Sequence, residues 1–241
     1  MPQLIANDVL KKYVSENLDK VNGWAGSGQS VLLLGHIAAK QEDCEQYGAF
    51  EIGVHHGRYL IELHAICAPG TRSLGLDIFG DQQKNVDGSG SGDEAIARSN
   101  LDQFARQPEL IQLRQGDSLS ITNAELAEIA STFGAFRLAS VDGGHTPVDI
   151  VRDTTIAATL LAPGGLIAID DFFHTNFPGV TEGFYRLMET QSLPFVPLAV
   201  TRKKLILCHL SYKSLYLDRL QSDWAQGVFE GIGCKMVEIA G

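Results

Sequence analysis

The sequence predicts an α/β fold built on a doubly wound, mostly parallel sheet, and three observations support this class. Short apolar runs alternate along the chain with segments whose apolar residues recur at helical spacing. Two of the runs, at 136–141 and 166–169, end abruptly in aspartates, which is typical of buried parallel strands with functional groups at their carboxyl ends. Two alternating runs, at 195–200 and 204–210, predict a C-terminal antiparallel hairpin that closes one sheet edge.

The predicted strands and helices follow one another along the chain. Strands are expected at 49–53, 73–78, 110–114, 135–141 and 166–169, ahead of the hairpin. Helices are expected at 58–67, 94–106, 123–133, 147–160 and 181–190, with Asn123 as an N-cap. One main domain, residues 48–210, therefore accounts for most of the chain.

Two flanking segments complete the predicted organisation. Residues 1–47 form an N-terminal helical cap, in which 4–21 carry apolar side chains at three- and four-residue spacing. Residues 22–47 show no clear period and are interpreted as a cap or lid over one sheet end. Trp24 can line a pocket there, but we favour a packed core position for it. Residues 211–241 form a C-terminal helical extension, which is expected either to pack on the domain or to serve a homo-oligomer.

Composition and charge narrow the class of function. The chain has 241 residues, 44% of them hydrophobic, which is enough for one sizeable domain. Its 19 basic and 29 acidic residues give a formal charge of −10, which disfavours binding to nucleic acid or to anionic membranes. We expect no signal peptide, and the apolar stretch 31–39 is about half the ~20 residues that a membrane span needs. A soluble enzyme for small molecules fits best.

The cysteines indicate the redox environment. Cys44, Cys67, Cys208 and Cys234 show no CxxC spacing and are too few to cross-link a chain of this length. We therefore expect free thiols that pack as small buried hydrophobes. Free thiols in turn predict a reducing, cytoplasmic location.

Three carboxylates are expected to meet at one edge of the sheet. Asp142 follows the apolar run 136–141, and Asp170 and Asp171 follow the run 166–169. The carboxyl ends of neighbouring parallel strands open onto the same crevice, so these side chains should converge. Converging carboxylates repel one another unless protons or a cation intervene, and hard oxygen ligands suit Mg²⁺, Mn²⁺ or Ca²⁺. The pattern predicts a divalent cation bound by Asp142, Asp170 and Asp171.

His145 lies three residues beyond Asp142, in the loop at the tip of the sheet. An imidazole at this place can take a proton near neutral pH as a general base. It can also be a metal ligand, or it can cap the helix that begins near Pro147. The sequence leaves these three roles open.

The turn after the first strand has the residues of a ligand-binding loop. Glu51, Gly53 and Gly57 lie between a strand and a helix, where glycines let the backbone approach a ligand at the helix N-terminus. His55 occupies the place of a second glycine, so the spacing departs from the dinucleotide fingerprint and disfavours a nicotinamide cofactor. Asp77, at the tip of the next strand, is placed to accept hydrogen bonds from ribose hydroxyls.

Further segments open onto the same crevice. Asp117 and Ser118 follow the third strand and could meet the base of a bound ligand. The polar, glycine-rich connection 80–93 has the length of a lid or binding loop, although a solvent loop without a role would have the same composition. The aromatic stretch 172–177 is suited to shape a substrate pocket.

The chain resembles the class I S-adenosylmethionine-dependent methyltransferases in the motifs EIGVHHG at 51–57, the acid Asp77, GDS at 116–118, VDGGH at 141–145 and LAPGGLIAIDD at 161–171. The resemblance covers about residues 48–210 and implies a Rossmann-like, seven-stranded sheet. The Asp-Gly-x-His and Asp-Asp signatures are similar to those of the small O-methyltransferases grouped with macrocin O-methyltransferase and cephalosporin hydroxylase proteins. The arrangement of three carboxylates is similar to that of catechol O-methyltransferase.

The resemblance implies roles for the residues at the strand ends. They would hold S-adenosylmethionine, with its methionine part at Glu51, Gly53, His55 and Gly57, its ribose at Asp77, and its adenine at Asp117 and Ser118. They would also bind Mg²⁺ at Asp142, Asp170 and Asp171, with His145 and Asp142 as catalytic residues. Asp171 stands where the catechol enzymes have an amide, which adds negative charge. The implied reaction is methyl transfer to a hydroxyl of a small molecule such as a sugar, a glycoside or a natural product.

Two main alternatives stay open at this point, and a nucleotide or sugar-nucleotide enzyme of the doubly wound type is a third. A metal-independent methyltransferase would use Asp142 and His145 as a base pair, while Asp170 and Asp171 merely end their strand. A catalytically silent cofactor-binding subunit would instead hold a partner through the C-terminal extension.

Overall fold

The structure is a computed structural model, and it describes residues 6–24, 28–41, 43–190, 193–201 and 203–229. The strands are β1 (Gly48–Ile52), β2 (Ser73–Asp77), β3 (Ile111–Gln115), β4 (Phe136–Val141), β5 (Leu161–Ile169), β6 (Phe195–Val200) and β7 (Leu205–His209). They form one sheet in the order β3-β2-β1-β4-β5-β7-β6. Strands β1 to β5 are parallel, whereas β7 pairs antiparallel with both β5 and β6. The prediction of a mostly parallel sheet with a C-terminal hairpin is confirmed.

Helices cover both faces of this sheet. In the described part of the chain they are α1 (Asp8–Glu16), α2 (Gln29–Ala38), α3 (Arg58–Ile66), α4 (Glu94–Phe104), α5 (Asn123–Phe133), α6 (Pro147–Leu160), α7 (Pro178–Thr190) and α8 (Lys213–Ala225). Phe50 and Ile167 join the core beneath α5, α6 and α7, whereas their neighbours Ala49 and Leu166 join the core beneath α2, α3 and α8. Burial on both faces explains why these strands are apolar without alternation.

The strand order reverses between β1 and β4, which opens a crevice beyond their carboxyl ends. The hydrogen-bond ladder continues past these ends. The amide of Asp142 donates to the carbonyl of Ile52 at 2.8 Å, and the amide of Asp170 donates to the carbonyl of Val141 at 2.9 Å. The ladder therefore fixes Asp142 and Asp170 side by side at the rim of the sheet.

The N-terminal segment differs from the prediction. Helix α1 is shorter than expected: Asn7 caps its start by accepting from the amide of Leu10, while Leu4 and Ile5 lie outside the described residues. Helix α2 forms where the sequence showed no period. It is buried on nearly all sides, so the one-sided apolar spacing of a surface helix is missing. It packs on a sheet face with α3 and α8 and does not lie over the sheet end.

The structure also bears on the predictions for the α5 N-cap, the cysteines, the C-terminal helix and membrane-spanning segments. Thr122, not Asn123, is the N-cap of α5, because Thr122 and Glu125 form a reciprocal capping box. Cys44, Cys67 and Cys208 are buried free thiols, as expected, and Cys234 lies outside the described residues. Helix α8, in the described part of the predicted C-terminal extension, packs on the domain through Tyr216, which joins the core beneath α2, while residues 230–241 lie outside the described residues. Within the described ranges, no helix has the length and apolar character that a membrane crossing requires.

Candidate active site

A cavity of about 750 Å³ lies at the carboxyl ends of β1, β2, β4 and β5. This volume falls in the range of about 300–1,000 Å³ that small-molecule sites occupy. All but one of the site residues predicted from the sequence line this cavity, and the exception is Gly57. The residues that line it are Glu51, Gly53, His55, Asp77, Asp117, Ser118, Asp142, His145, Asp170 and Asp171. Topology thus brings together residues that are up to 120 positions apart in the chain.

The turn 53–57 approaches the neighbouring strand closely. A Cβ at Gly53 would come within 1.9 Å of the carbonyl oxygen of Asp142, and Gly53 has a φ of +87°. Only glycine fits such a position. His55 also has a left-handed backbone, with a φ of +52°, where a glycine would be relaxed. Gly57, at a φ of +86°, is the N-cap of α3, so it shapes the turn without lining the cavity.

Asp77 is tied to this turn by its side chain. One carboxylate oxygen accepts the amides of Val54 and His55 at 2.7 and 2.8 Å, and the other accepts the amide of Phe79 at 2.6 Å. The predicted ribose-binding acid therefore also holds the glycine turn in shape. Each carboxylate oxygen has two acceptor sites, so Asp77 retains capacity for a ligand hydroxyl.

Glu51 lies on the floor of the cavity with 1% of its surface exposed. No hydrogen-bond partner for its Oε2 atom occurs among the described residues. Burial raises the pKa of Glu51 well above its usual range, and Asp77 adds to this effect while Lys204 opposes it. A buried acceptor without a partner is costly, so the site fits a ligand that brings a hydrogen-bond donor, such as an amino group.

Asp117 and Ser118 lie where β3 opens onto the cavity. The Asp117 carboxylate accepts the amide of Leu119 at 2.9 Å and the hydroxyl of Ser120 at 3.0 Å, which holds the turn that follows. Both residues line the cavity on the side away from β5. They remain candidates for contact with the base of a bound nucleoside.

Lys204 lies between two of the three predicted carboxylates. Its Nζ atom is 2.8 Å from Oδ2 of Asp170, 3.6 Å from Oδ2 of Asp142, and 4.0 Å from the ring centroid of Tyr59. Lys204 is only 3% exposed. Burial and the charge of Asp170 raise the pKa of Asp142 well above its usual range, and the Lys204 ammonium opposes them. Asp142 and Asp170 therefore lie beside one buried cation that the chain itself supplies.

Asp171 and His145 form the outer part of the same cluster. The Nε2 atom of His145 is 3.5 Å from Oδ2 of Asp171, and Lys203 lies 3.3 Å from the other carboxylate oxygen. Burial raises the pKa of Asp171, but His145 and Lys203 outweigh burial and lower it. One ligand atom each from Asp142, His145 and Asp171 lies within 4.8 Å of the others, a grouping that could hold a metal ion.

The structure narrows the roles of His145. It does not cap α6, because Thr146 is the N-cap and forms a capping box with Asp149. Burial lowers the pKa of His145, but hydrogen bonds and charge from Asp171 and Asp87 outweigh burial and raise it. The ring stacks on Phe177 at a centroid distance of 3.9 Å. A general base or a metal ligand remain as its roles.

Sequence reasoning missed two residues of this site, Asp87 and Lys204, and favoured the wrong position for a third, Trp24. Trp24 is 70% exposed and lines the cavity 5.1 Å from the ring of His55, so the favoured core position is wrong. Asp87 contacts His145 from the loop 80–93. Lys204 precedes β7, and Leu205 pairs with Ile169. A lone lysine before an apolar strand indicates a buried charge that needs a partner. The sequence does not reveal that this partner is Asp170, because the pairing requires β7 to lie beside β5.

A methyltransferase-domain family matches residues 50–172, which is just over half of the chain. The chain therefore belongs to this family, and with the topology above it is a class I S-adenosylmethionine-dependent methyltransferase. This confirms the class that the sequence motifs implied. No curated protein sequence matches the chain.

Solved structures share the fold at low sequence identity. The O-methyltransferase from Bacillus cereus in complex with SAH is 19% identical over 85% of this chain and 91% of its own, with a TM-score of 0.56. TomG from Streptomyces achromogenes, an O-methyltransferase of tomaymycin synthesis in complex with SAM, is 18% identical over 85% and 90%, with a TM-score of 0.53. CalS11, a TDP-rhamnose 3′-O-methyltransferase, is 17% identical over 82% and 85%, with a TM-score of 0.54.

Proposed function

We propose that the chain transfers the methyl group of S-adenosylmethionine to a hydroxyl oxygen of a small molecule. The observation that carries this proposal is the single cavity in which the glycine turn, Asp77 and the cluster around Asp142 face one another. In the reaction the sulfur–carbon bond of the donor breaks, an oxygen–carbon bond forms, and the hydroxyl proton leaves to the protein.

The methyl donor would lie along β1 and β2. When bound, S-adenosylmethionine supplies an electrophilic methyl group. Glu51 has a free acceptor atom for the amino group of the methionine part, and the turn at Gly53 and His55 lets the backbone approach it. Asp77 would accept the ribose hydroxyls, while Asp117 and Ser118 would flank the adenine.

The acceptor hydroxyl would lie between the donor and the outer acidic cluster. The Nε2 atom of His145 faces this part of the cavity and can take the hydroxyl proton, since its other ring nitrogen is already engaged by Asp87. Asp142, at the tip of β4, orients the hydroxyl. Alignment of two bound reactants can contribute about 7–11 kcal/mol, so positioning should matter more than the base.

We extend the proposal to a divalent cation, preferably Mg²⁺, held by Asp142 and Asp171 beside His145. Their converging oxygen atoms suit a hard cation, which when bound lowers the pKa of a chelated hydroxyl. Asp170, the third ligand expected from the sequence, is paired with Lys204, and we propose that it orients the cluster from behind.

A metal-independent reaction is the second candidate, and one observation favours it. Lys204 and Lys203 already neutralise the carboxylates of Asp170 and Asp171, and Lys204 also approaches Asp142. With these charges balanced, His145 and Asp142 could act on the hydroxyl proton without a cation.

The donor and acceptor are tested by binding and transfer. We expect calorimetry to show binding of S-adenosylhomocysteine, with loss of affinity when Glu51 is replaced by Gln. Transfer of radiolabelled methyl from S-adenosylmethionine is then measured on a panel of catechols, sugar nucleotides and glycosides. The glycosides and sugar nucleotides are expected to react best, because CalS11, which shares the fold, acts on a TDP-sugar. A protein that binds no S-adenosylhomocysteine contradicts the proposal.

Metal removal separates the two candidates. We expect exhaustive chelation to lower methyl transfer at least 100-fold and added Mg²⁺ or Mn²⁺ to restore it, because a cation would contribute several kcal/mol of charge stabilisation. Paramagnetic resonance of Mn²⁺ checks binding without turnover, with Asp142→Asn as the variant that loses it. Full activity after chelation would establish the metal-independent reaction.

A further inference from the structure

The loop 80–93 crosses the mouth of the cavity and contacts its wall at successive points. At its far end, Gly92 lies against Asp77, since a Cβ there would come within 2.8 Å of the Asp77 carboxylate. In the middle, a Cβ at Gly90 would lie 3.7 Å from His55 and 3.8 Å from Trp24. The loop therefore spans the cavity from the proposed ribose position toward the acidic cluster.

Asp87 makes the contact at the other side of the cavity. Its Oδ2 atom is 2.6 Å from Nδ1 of His145, and the His145 side chain is only 12% exposed, although Asp87 itself lies in an exposed part of the loop. The hydroxyl of Ser89 lies 3.2 Å from the same ring nitrogen. The other carboxylate oxygen of Asp87 accepts the amide of Ser89 at 2.8 Å, so the carboxylate is held in place by its own loop.

The tip of the loop is built to hold this geometry. The side-chain amide of Asn85 donates to the carbonyls of Ser89 and Gly90 at 2.8 and 3.0 Å, which closes the tip on itself. Gly88 and Gly90 have φ values of +67° and +65°, which allow the sharp return. Asp87 is thus presented from a locally ordered turn.

This contact decides which nitrogen of His145 faces the reaction. When the ring is neutral, the short bond to Asp87 places the proton on Nδ1 and leaves Nε2 without one. Nε2 lies 3.5 Å from Oδ2 of Asp171, and both residues line the part of the cavity proposed for the acceptor hydroxyl. Stacking on Phe177 fixes the plane of the ring. A carboxylate that fixes the tautomer and the orientation of a histidine supports its action as a general base, and it equally supports its action as a metal ligand.

We propose that Asp87 is a positioning residue for His145, and that closure of the loop 80–93 over the methyl donor thereby completes the active site. The same loop runs beside Asp77 and His55 on the donor side and carries Asp87 to the acceptor side. Binding of the donor and orientation of the base are therefore coupled through one segment. This inference rests on the proposed methyl transfer, in which His145 acts on the acceptor.

The test compares Asp87→Ala with Asp81→Ala, a matched control. Asp81 belongs to the same loop but pairs with Lys84 and does not line the cavity. Proteins labelled with ¹⁵N-histidine are examined by NMR at pH 9, with His145→Gln to assign the signal of His145. We expect the Nδ1–H tautomer in the wild type and in Asp81→Ala, and a shift to the Nε2–H tautomer in Asp87→Ala, because Asp171 is then the remaining acceptor.

Calorimetry with S-adenosylhomocysteine tests the coupling. We expect Asp87→Ala to weaken binding about tenfold, which is the scale of one lost charge-assisted hydrogen bond, and Asp81→Ala to leave it unchanged. An unchanged tautomer in Asp87→Ala overturns the positioning role, and equal loss of affinity in both variants overturns the coupling. If the wild type binds no S-adenosylhomocysteine, the proposed function fails, while the NMR signal still decides whether Asp87 orients His145.

Discussion

Asp142→Ala is expected to abolish nearly all methyl transfer, whereas His145→Ala keeps residual turnover. Asp142 lies at the centre of the site, beside the glycine turn, Asp170 and Lys204, so its loss disturbs the position of the acceptor and the balance of charge together. His145 contributes proton transfer alone. We expect kcat to fall about 10²- to 10³-fold in His145→Ala and more than about 10⁴-fold in Asp142→Ala.

Single-turnover transfer of radiolabelled methyl measures this difference. The variants are compared at saturating donor, and calorimetry with S-adenosylhomocysteine shows whether the donor site is intact in each. Asp142→Asn serves as the matched variant that keeps the size of the side chain. Equal losses in the two alanine variants would contradict the view that positioning contributes more than the base.

Lys204→Met is expected to be the most destabilising substitution in the site. Lys204 is the buried partner of Asp170, and its removal leaves the buried Asp170 carboxylate without a compensating charge. Breaking a buried ion pair in this way costs about 3–5 kcal/mol. Lys203→Met is the control, because the Lys203 side chain is 48% exposed and its pairing with Asp171 should contribute less than about 1 kcal/mol.

The loss of stability in Lys204→Met is expected to depend on pH. Without the ammonium, burial and the charge of Asp170 hold the pKa of Asp142 above its value in the unfolded chain, so the folded state binds more protons there. Stability is then lost as pH rises through the interval between the unfolded and folded pKa values. We expect the variant to be closest to the wild type near pH 4 and furthest from it near pH 8, as measured by urea unfolding. A deficit that does not grow with pH would contradict this account.

Local patterns were sufficient for most of the fold. The strands β1 to β5 were predicted because most of them are short apolar runs next to turn residues, and the helices between them because their apolar residues recur at helical spacing. The two wrong predictions, for α2 and Trp24, have the same cause, which is that the local sequence does not show how deeply a residue is buried. Helix α2 lacks an amphipathic period because it is covered on nearly all sides, and Trp24 was placed in the core because aromatic character alone does not reveal exposure.

The candidate site was predictable in part, for a reason of chain geometry. Asp142, Asp170 and Asp171 follow strands directly, so the parallel topology alone brings them to one rim. Lys204 arrives there only because β7, and not β6, lies beside β5. Asp87 reaches the site because the glycine-rich loop folds back over the cavity. The spacing of residues within the loop does not predict where the loop will lie.

The sequence by itself determined the α/β class, the order of the strands along the chain and the acids at their tips, because these depend on interactions between residues close in the chain. Only the tertiary structure decided which cation those acids meet and which nitrogen of His145 faces the cavity. Both depend on side chains more than 30 positions apart in the chain, Lys204 from Asp170 and Asp87 from His145, and such pairings follow from sheet order and loop path. They carry no signature in the local spacing of residues.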